Sequence, residues 1–279
     1  MQRAQRHLQE GVTSIEVKSG YGLSVDEELK MLRAIKSADG QSKATLISTC
    51  LAAHVCPKEF DNHSDYLAHI TSSLFPLLKE TGLTNRIDIF TEDGAFDVAL
   101  SRQYLNTAKE AGFEITIHAD QFTSGGAKLA AEVGAISADH LEATNDEDVQ
   151  VLANSDTVAT VLPGASLGLG MHYSPARKLL DAGCCVAIAT DWNPGSAPMG
   201  DLLVQTALMG ASEKLSIPEC VAGITYRAAK ALNLTDRGRL KEGLLADFIA
   251  FPVSDHREIF YQQGKVKPDM VWKEGRLIE

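Results

Sequence analysis

Seven short runs of strand-forming residues, each followed by a polar loop and then by a segment of helical period, divide most of this chain. They are Thr13 to Val17, Thr45 to Ala52, Arg86 to Phe90, Glu114 to His118, Ala135 to His140, Thr157 to Leu162 and Val186 to Asp191. The helices between them are marked by their ends. Ser24 with Glu27 and Thr144 with Glu147 have capping-box spacing, Ser174-Pro175 puts proline at a first helical position, and Gly134 and Gly183 stand where helix stops are expected. Strands joined through helices pair in parallel by right-handed crossovers, so the repeat dictates a parallel α/β sheet, either open and doubly wound or closed into a barrel. No glycine fingerprint for a dinucleotide follows the first strand, which removes the usual support for a Rossmann fold. A (β/α)8 barrel needs eight strands, one more than the chain supplies before its pattern changes near Thr235. Beyond that point "GLLADFIAF" and "PDMVWKEGRLIE" read as short strands with turns, so residues 235–279 are expected to form part of a small β domain and residues 1–234 the α/β body.

Charge narrows the function classes. The net charge of −11, with basic residues scattered along the chain, lacks the footprint of a nucleic-acid binder, and no apolar run is long enough for a membrane span. The opening "MQRAQRHLQEG" has the pattern of an amphipathic helix and not of a signal peptide, which points to the cytoplasm. Five cysteines, Cys50, Cys56, Cys184, Cys185 and Cys220, show no C-x-x-C spacing, and two are adjacent, so reduced core thiols are expected.

Parallel strands are buried on both faces, and polar groups are tolerated mainly at their C-terminal ends, where barrel enzymes carry out chemistry. "STCLAAHVCP" delivers His54 there, "EITIHADQF" His118, "ISADHLEA" His140 and "AIATDWNPGS" Asp191, while "IEVKSGYG" leads to Tyr21. A single histidine at a strand end is more often hydrogen-bonded packing than a ligand. Several at equivalent places are another matter, because burying each without a partner costs roughly 1–3 kcal/mol. Imidazole and carboxylate are suitable ligands for a zinc-like ion, and His118 and Asp191 are candidates. Such an ion lowers the pKa of bound water toward about 7 while a carboxylate collects the proton, equipment suited to hydrolysing an amide-like bond. His7, His63, His69 and His256 read as solvated surface, and His172 follows "GLGM" in a loop without an assigned role. "GASLGLG" lacks the ending of a phosphate loop and reads as a flexible lid, and Glu92, Asp93 and Asp97 read as a hydrated acidic run.

The segments "GVTSIEVKSGYGLS", "AAHVCP", "IHADQF", "SADHLE" and "ATDWNPGS", in this order, resemble the imidazolonepropionase family of amidohydrolases, and the likeness extends from about Gly11 through "LADFIAF" to the end. The resemblance implies a metal-dependent TIM barrel of the amidohydrolase type with a small β-sandwich domain. It also implies hydrolytic ring opening of 4-imidazolone-5-propanoate to N-formimidoyl-glutamate on one divalent metal, zinc or iron. By that likeness His118 and Asp191 are metal ligands, Asp191 also relays the proton of the attacking water, and His140 polarises the ring carbonyl. Tyr21, His54, Gln121, Asn193, Gly195 and Ser196 match substrate-contacting positions, and relatives suggest a homodimer acting on a small molecule. Gln121 stands where the family has Glu or Gln, and an amide cannot be the base, which leaves that task to Asp191. The family takes two further ligands from an H-x-H pair on its first barrel strand, and this chain contains no H-x-H. The arginine that would clamp the propionate is also expected upstream. The missing strand is therefore expected to be the first, with Met1 an internal start and the barrel incomplete. Another cyclic amidohydrolase or nucleobase deaminase, or a noncatalytic ligand-binding barrel, remains the alternative.

Overall fold

The computed structural model describes residues 1–278. In chain order the body runs α1 (Gln2–Gln9), β1 (Ser14–Lys18), α2 (Val25–Asp39), β2 (Thr45–Ala53), α3 (His63–Thr81), β3 (Arg86–Thr91) and α4 (Val98–Glu110). It continues through β4 (Glu114–Ile115), β5 (Ile117–Ala119), α5 (Gly126–Val133), β6 (Ser137–His140), α6 (Asp146–Ala153), β7 (Val158–Val161), α7 (Pro163–Leu169), α8 (Ala176–Asp181) and β8 (Val186–Ile188). Helices α9 (Leu202–Ser212), α10 (Ile217–Ile224) and α11 (Tyr226–Ala231) follow, and the chain ends in β9 (Phe248–Ala250), α12 (Glu258–Tyr261), β10 (Met270–Lys273) and β11 (Arg276–Leu277).

The order of pairing is β1-β2-β3-β5-β6-β7-β8, with the short β4 beside β3, and every pairing in this sheet is parallel. All seven expected strands are present, the fourth divided at Thr116, whose residues on either side pair separately with β3. Among the described residues β1 and β8 are not paired with each other, so the sheet is a curved, open half-barrel. Its core is continuous, running from Leu32 and Ile35 on α2 through Ile87, Ile89 and Ile117 on the strands to Leu152 and Leu179 on the later helices. This is what α/β layering requires, since each helix buries one face against a sheet that has no solvent side.

Residues beyond Thr235 carry the three-stranded antiparallel sheet β11-β10-β9. Val271 on it joins Leu8 of α1 and Ala44 in a small apolar cluster with Ile15 and Leu46 at the starts of β1 and β2. Arg237 reinforces the contact by donating to Ser14 Oγ at 2.9 Å and Thr45 Oγ1 at 3.2 Å.

The helix ends follow the expected pattern in part. Ser24 accepts from the Glu27 N–H as an N-cap, and Gly134 closes α5 in a left-handed conformation. The box expected at Thr144 and Glu147 is one residue later, on Asn145 and Asp148, because the Thr144 hydroxyl is engaged by Asp120. Pro175 is the residue before α8, and Ser174 donates instead to the carbonyl of His140 at 2.5 Å. "GASLGLG" is helix α7 and not a lid, with Pro163 to Ser166 buried. A Cβ on Gly168 would stand 1.7 Å from the Ser196 carbonyl oxygen, so glycine there serves close packing. All five cysteines are free, with Cys50, Cys184 and Cys220 buried.

His7 corrects the surface reading. It is 6% exposed, its ring meets Trp192 edge-on at 4.8 Å, and its Nδ1 is buried without a hydrogen bond. Arg3 and Arg6 each stand 5.0 Å over the same indole, so α1 is pinned to the loop after β8. Burial, with help from the Arg6 charge, lowers the His7 pKa from 6.5 to about 4. The folded protein therefore resists a proton that the unfolded chain accepts, and the stabilisation, complete above pH 6.5, is lost as pH falls toward 4. At 1.36 kcal/mol per pKa unit this amounts to about 3 kcal/mol. Urea unfolding at pH 7 and pH 4.5 is expected to show a steep loss for the wild type and a distinctly shallower one for His7→Gln. Parallel pH dependence in the two proteins would remove His7 from the account.

Candidate active site

The strands end in a common mouth, and the side chains they deliver meet as a chain of rings. Tyr21 lies edge-on to His54 at 5.3 Å, His54 is 5.9 Å from Phe90, Phe90 is 6.1 Å from His118, and His118 is 5.4 Å from His140. Tyr21 is exposed, whereas His118 and His140 are buried.

Local backbone geometry explains how these positions are reached. In "KSGYG", Gly20 has φ +116°, and a Cβ there would stand 2.8 Å from the Leu51 carbonyl oxygen, so only glycine makes the turn. The turn is held from beneath by Glu28, a fully buried carboxylate that accepts the N–H groups of Gly20, Gly22 and Leu23. The Gly20 carbonyl in turn accepts from His54 Nδ1 at 3.1 Å, which leaves the lone pair on Nε2. Burial first and the His118 charge second lower the His54 pKa, favouring neutral imidazole.

Strand alternation from Asp139 would send the next side chain to the opposite face. Left-handed φ values of 90° at His140 and 71° at Leu141 end that alternation where the imidazole meets His118. The strained segment is tied down by Ser174 on the His140 carbonyl and by the Leu141 N–H on Ala119. His140 Nδ1 lies 3.6 Å from Glu142 Oε2, too far for a hydrogen bond, and both atoms are buried without a partner.

Below the rings lies a charged cluster that strand-end reasoning missed. Lys18 Nζ contacts Asp88 Oδ2 at 2.5 Å, Asp139 Oδ2 at 2.8 Å and Glu16 Oε2 at 3.4 Å, while His118 Nδ1 is 3.1 Å from Asp88 Oδ2. That last contact is not aligned as a hydrogen bond, so His118 Nδ1 is close to a carboxylate yet unsatisfied. Burial opposes charge on Lys18, but Asp139, Asp88 and Glu16 raise its pKa well above the ordinary value. Burial likewise works against the Asp88 carboxylate, and His118 and Lys18 overcome it, holding it well below the usual range. A signal existed in the sequence: Lys18, Asp88 and Asp139 are charges within strands that should be apolar on both faces.

Asp88, His118 and Asp139 offer ligand atoms all within 4.8 Å of one another. This buried nitrogen and oxygen donor set, with one imidazole nitrogen unsatisfied, suits a borderline divalent cation such as zinc. Asp191 is not among the three. It has φ 48°, its Oδ2 accepts from Asn193 Nδ2 at 3.1 Å, and its charge, after burial, raises the pKa of Tyr21. Asn193 Oδ1 accepts the N–H groups of Gly195 and Ser196, each at 2.8 Å, so "DWNPGS" is one hydrogen-bonded knot beside the mouth. Gln121 is buried at the foot of the loop after β5. Glu92, expected in water, is buried and braces that loop by accepting from Phe122 N and the Thr123 hydroxyl, while Asp93 and Asp97 are exposed. His172 is exposed.

Residues 1–278 match the model of the amidohydrolase family. The chain is 41% identical over 277 residues to an imidazolonepropionase of Fusobacterium nucleatum, covering 98% of this chain and 67% of the relative. It is 38% identical over 278 residues to an imidazolonepropionase of Bdellovibrio bacteriovorus, covering 99% and 65%. The chain thus spans about two thirds of the length of these relatives. Among solved structures, a 5-methylcytosine deaminase of Klebsiella pneumoniae liganded with 5-fluorocytosine superposes with a TM-score of 0.78 at 16% identity, covering 100% of this chain and 73% of the other. An atrazine chlorohydrolase variant of Arthrobacter aurescens, complexed with zinc and atraton, gives 0.74 at 16%, covering 99% and 70%. At such identities these two show the shared fold alone. No helix among the described residues is long and apolar enough to cross a membrane.

Proposed function

Because this chain belongs to the amidohydrolase family, and within it to the imidazolonepropionase-like members, we propose that the whole protein opens the ring of 4-imidazolone-5-propanoate by hydrolysis, giving N-formimidoyl-L-glutamate. The observation that carries the reading is the run of rings from Tyr21 to His140 along one mouth, which brings aromatic faces and hydrogen-bonding nitrogens together where a flat heterocycle could be recognised. One divalent cation, zinc or iron, would be held by His118 and Asp191 and would supply a Lewis acid and water of lowered pKa.

The chain's own groups then divide the work. Tyr21 and His54 stand at the exposed end of the run, and the neutral His54 accepts a ring N–H at Nε2. Asn193 fixes Asp191 through the bond to Oδ2 and leaves Oδ1 to take the proton of the attacking water. His140 donates to the carbonyl oxygen as negative charge develops there, in a site from which water is largely excluded. Gln121, an amide, hydrogen-bonds the ring and takes no proton.

The test is incubation of the whole protein with 4-imidazolone-5-propanoate, following loss of the ring chromophore and assaying ammonia in parallel. Ring opening without ammonia is expected. Release of ammonia from amino-substituted rings, with the imidazolone left intact, would replace this reading by that of a deaminase.

A further inference from the structure

The cluster beneath the rings has a property that the proposed chemistry does not use. A lysine ammonium is a compact point charge, and Lys18 Nζ stands 2.5 Å from Asp88 Oδ2 and 2.8 Å from Asp139 Oδ2. These are only about 0.5 Å longer than carboxylate distances at a divalent zinc ion. The oxygens belong to side chains that are 0% and 5% exposed, and both share a cage with the imidazole of His118. His118 and Asp139 are register partners on β5 and β6, so strand pairing holds the cage and no loop needs to move to form it. Two carboxylates and one imidazole are a complete three-ligand set for a borderline divalent ion. Lys18 Nζ is the cation that two of these three ligands already hold.

We propose that Lys18 is a built-in cation that keeps divalent metal out of the Asp88–His118–Asp139 cage, and that replacing it by methionine turns the cage into a buried divalent-metal site. The cage uses the Nδ1 side of His118, where Asp88 lies. An ion held on Nε2 at the same time would make the ring a bridging imidazolate, its proton released to solvent, so the cage shares His118 with the proposed mouth ion but takes its other nitrogen and its own two carboxylates.

Methionine keeps the length of the lysine stem and removes the charge. Wild type, K18M, K18M/D139N and D139N are stripped of metal, loaded with zinc or cobalt(II), and assayed for bound equivalents, with circular dichroism and melting temperature recorded with and without metal. K18M is expected to bind one equivalent more than wild type, to melt lower than wild type when metal-free, and to recover with zinc. The added equivalent disappears in K18M/D139N, and D139N alone binds as wild type does. Binding by the wild type reports on the mouth and the difference between K18M and wild type reports on the cage, so the two readings fail separately. The proposal is overturned if folded K18M binds no more than wild type, if zinc fails to restore an unfolded K18M, or if D139N removes an equivalent that wild type holds.

Discussion

Replacing His140 by glycine is expected to lower kcat for ring opening by about a hundred- to a thousandfold, the loss seen when one fixed donor to an oxyanion is removed. KM should change little, because the interaction strengthens only as charge develops. The choice of glycine separates chemistry from structure. At φ 90°, alanine would keep the strain that histidine bears and glycine would not, so H140G should be more stable than H140A by about 1 kcal/mol. Lost packing of the buried ring offsets the relieved strain relative to wild type, leaving the melting temperature of H140G close to it. A stable protein that has lost its turnover marks His140 as a residue held in strain for chemistry. If H140G retained turnover within tenfold of wild type, His140 would not be the donor.

The strands were legible because each is an apolar run buried on both faces, and the helices between them because their apolar stripes repeat at helical period. His118 and His140 stood out by position alone. What the one-dimensional pattern concealed was determined by distant partners. His7 reads as helix surface until Trp192, contributed by the loop after the last barrel strand, covers it. The glycines of "GASLGLG" read as mobility, but Gly168 makes room for the Ser196 carbonyl, which no local pattern announces. Glu92 reads as one of three hydrated acids until the loop after β5 brings it the Phe122 N–H. The Lys18, Asp88 and Asp139 cluster is the instructive miss. Each charge interrupts an apolar strand and so was visible, but its meaning depends on three strands meeting inside one curved sheet. The knot around Asn193 lay within a segment already singled out, and its bonds explain why Gly195 and Ser196 belong to the same group as Asp191.

That cluster also carries a large expected effect on stability at neutral pH. Asp88 is fully buried, receives the Lys18 ammonium at 2.5 Å, faces His118 Nδ1 at 3.1 Å and accepts the Ile89 N–H at 2.7 Å. Asparagine matches its shape but brings no charge to oppose the ammonium. Breaking a buried ion pair costs about 3–5 kcal/mol, because the remaining charge loses solvent and partner together. Here Asp139 still faces Lys18 at 2.8 Å, so D88N is expected near the low end, about 3 kcal/mol by denaturant unfolding at pH 7. D139N should cost less, since Asp139 is 5% exposed and its loss leaves the shorter Asp88 contact in place. Combining D88N with K18M removes both members of the closest pair, so the double variant should fall short of the summed single losses by about 0.5–3 kcal/mol. Strict additivity, or a loss below about 1 kcal/mol in D88N, would mean that the sheet tolerates these charges singly and that their convergence is not what holds this end of the barrel together.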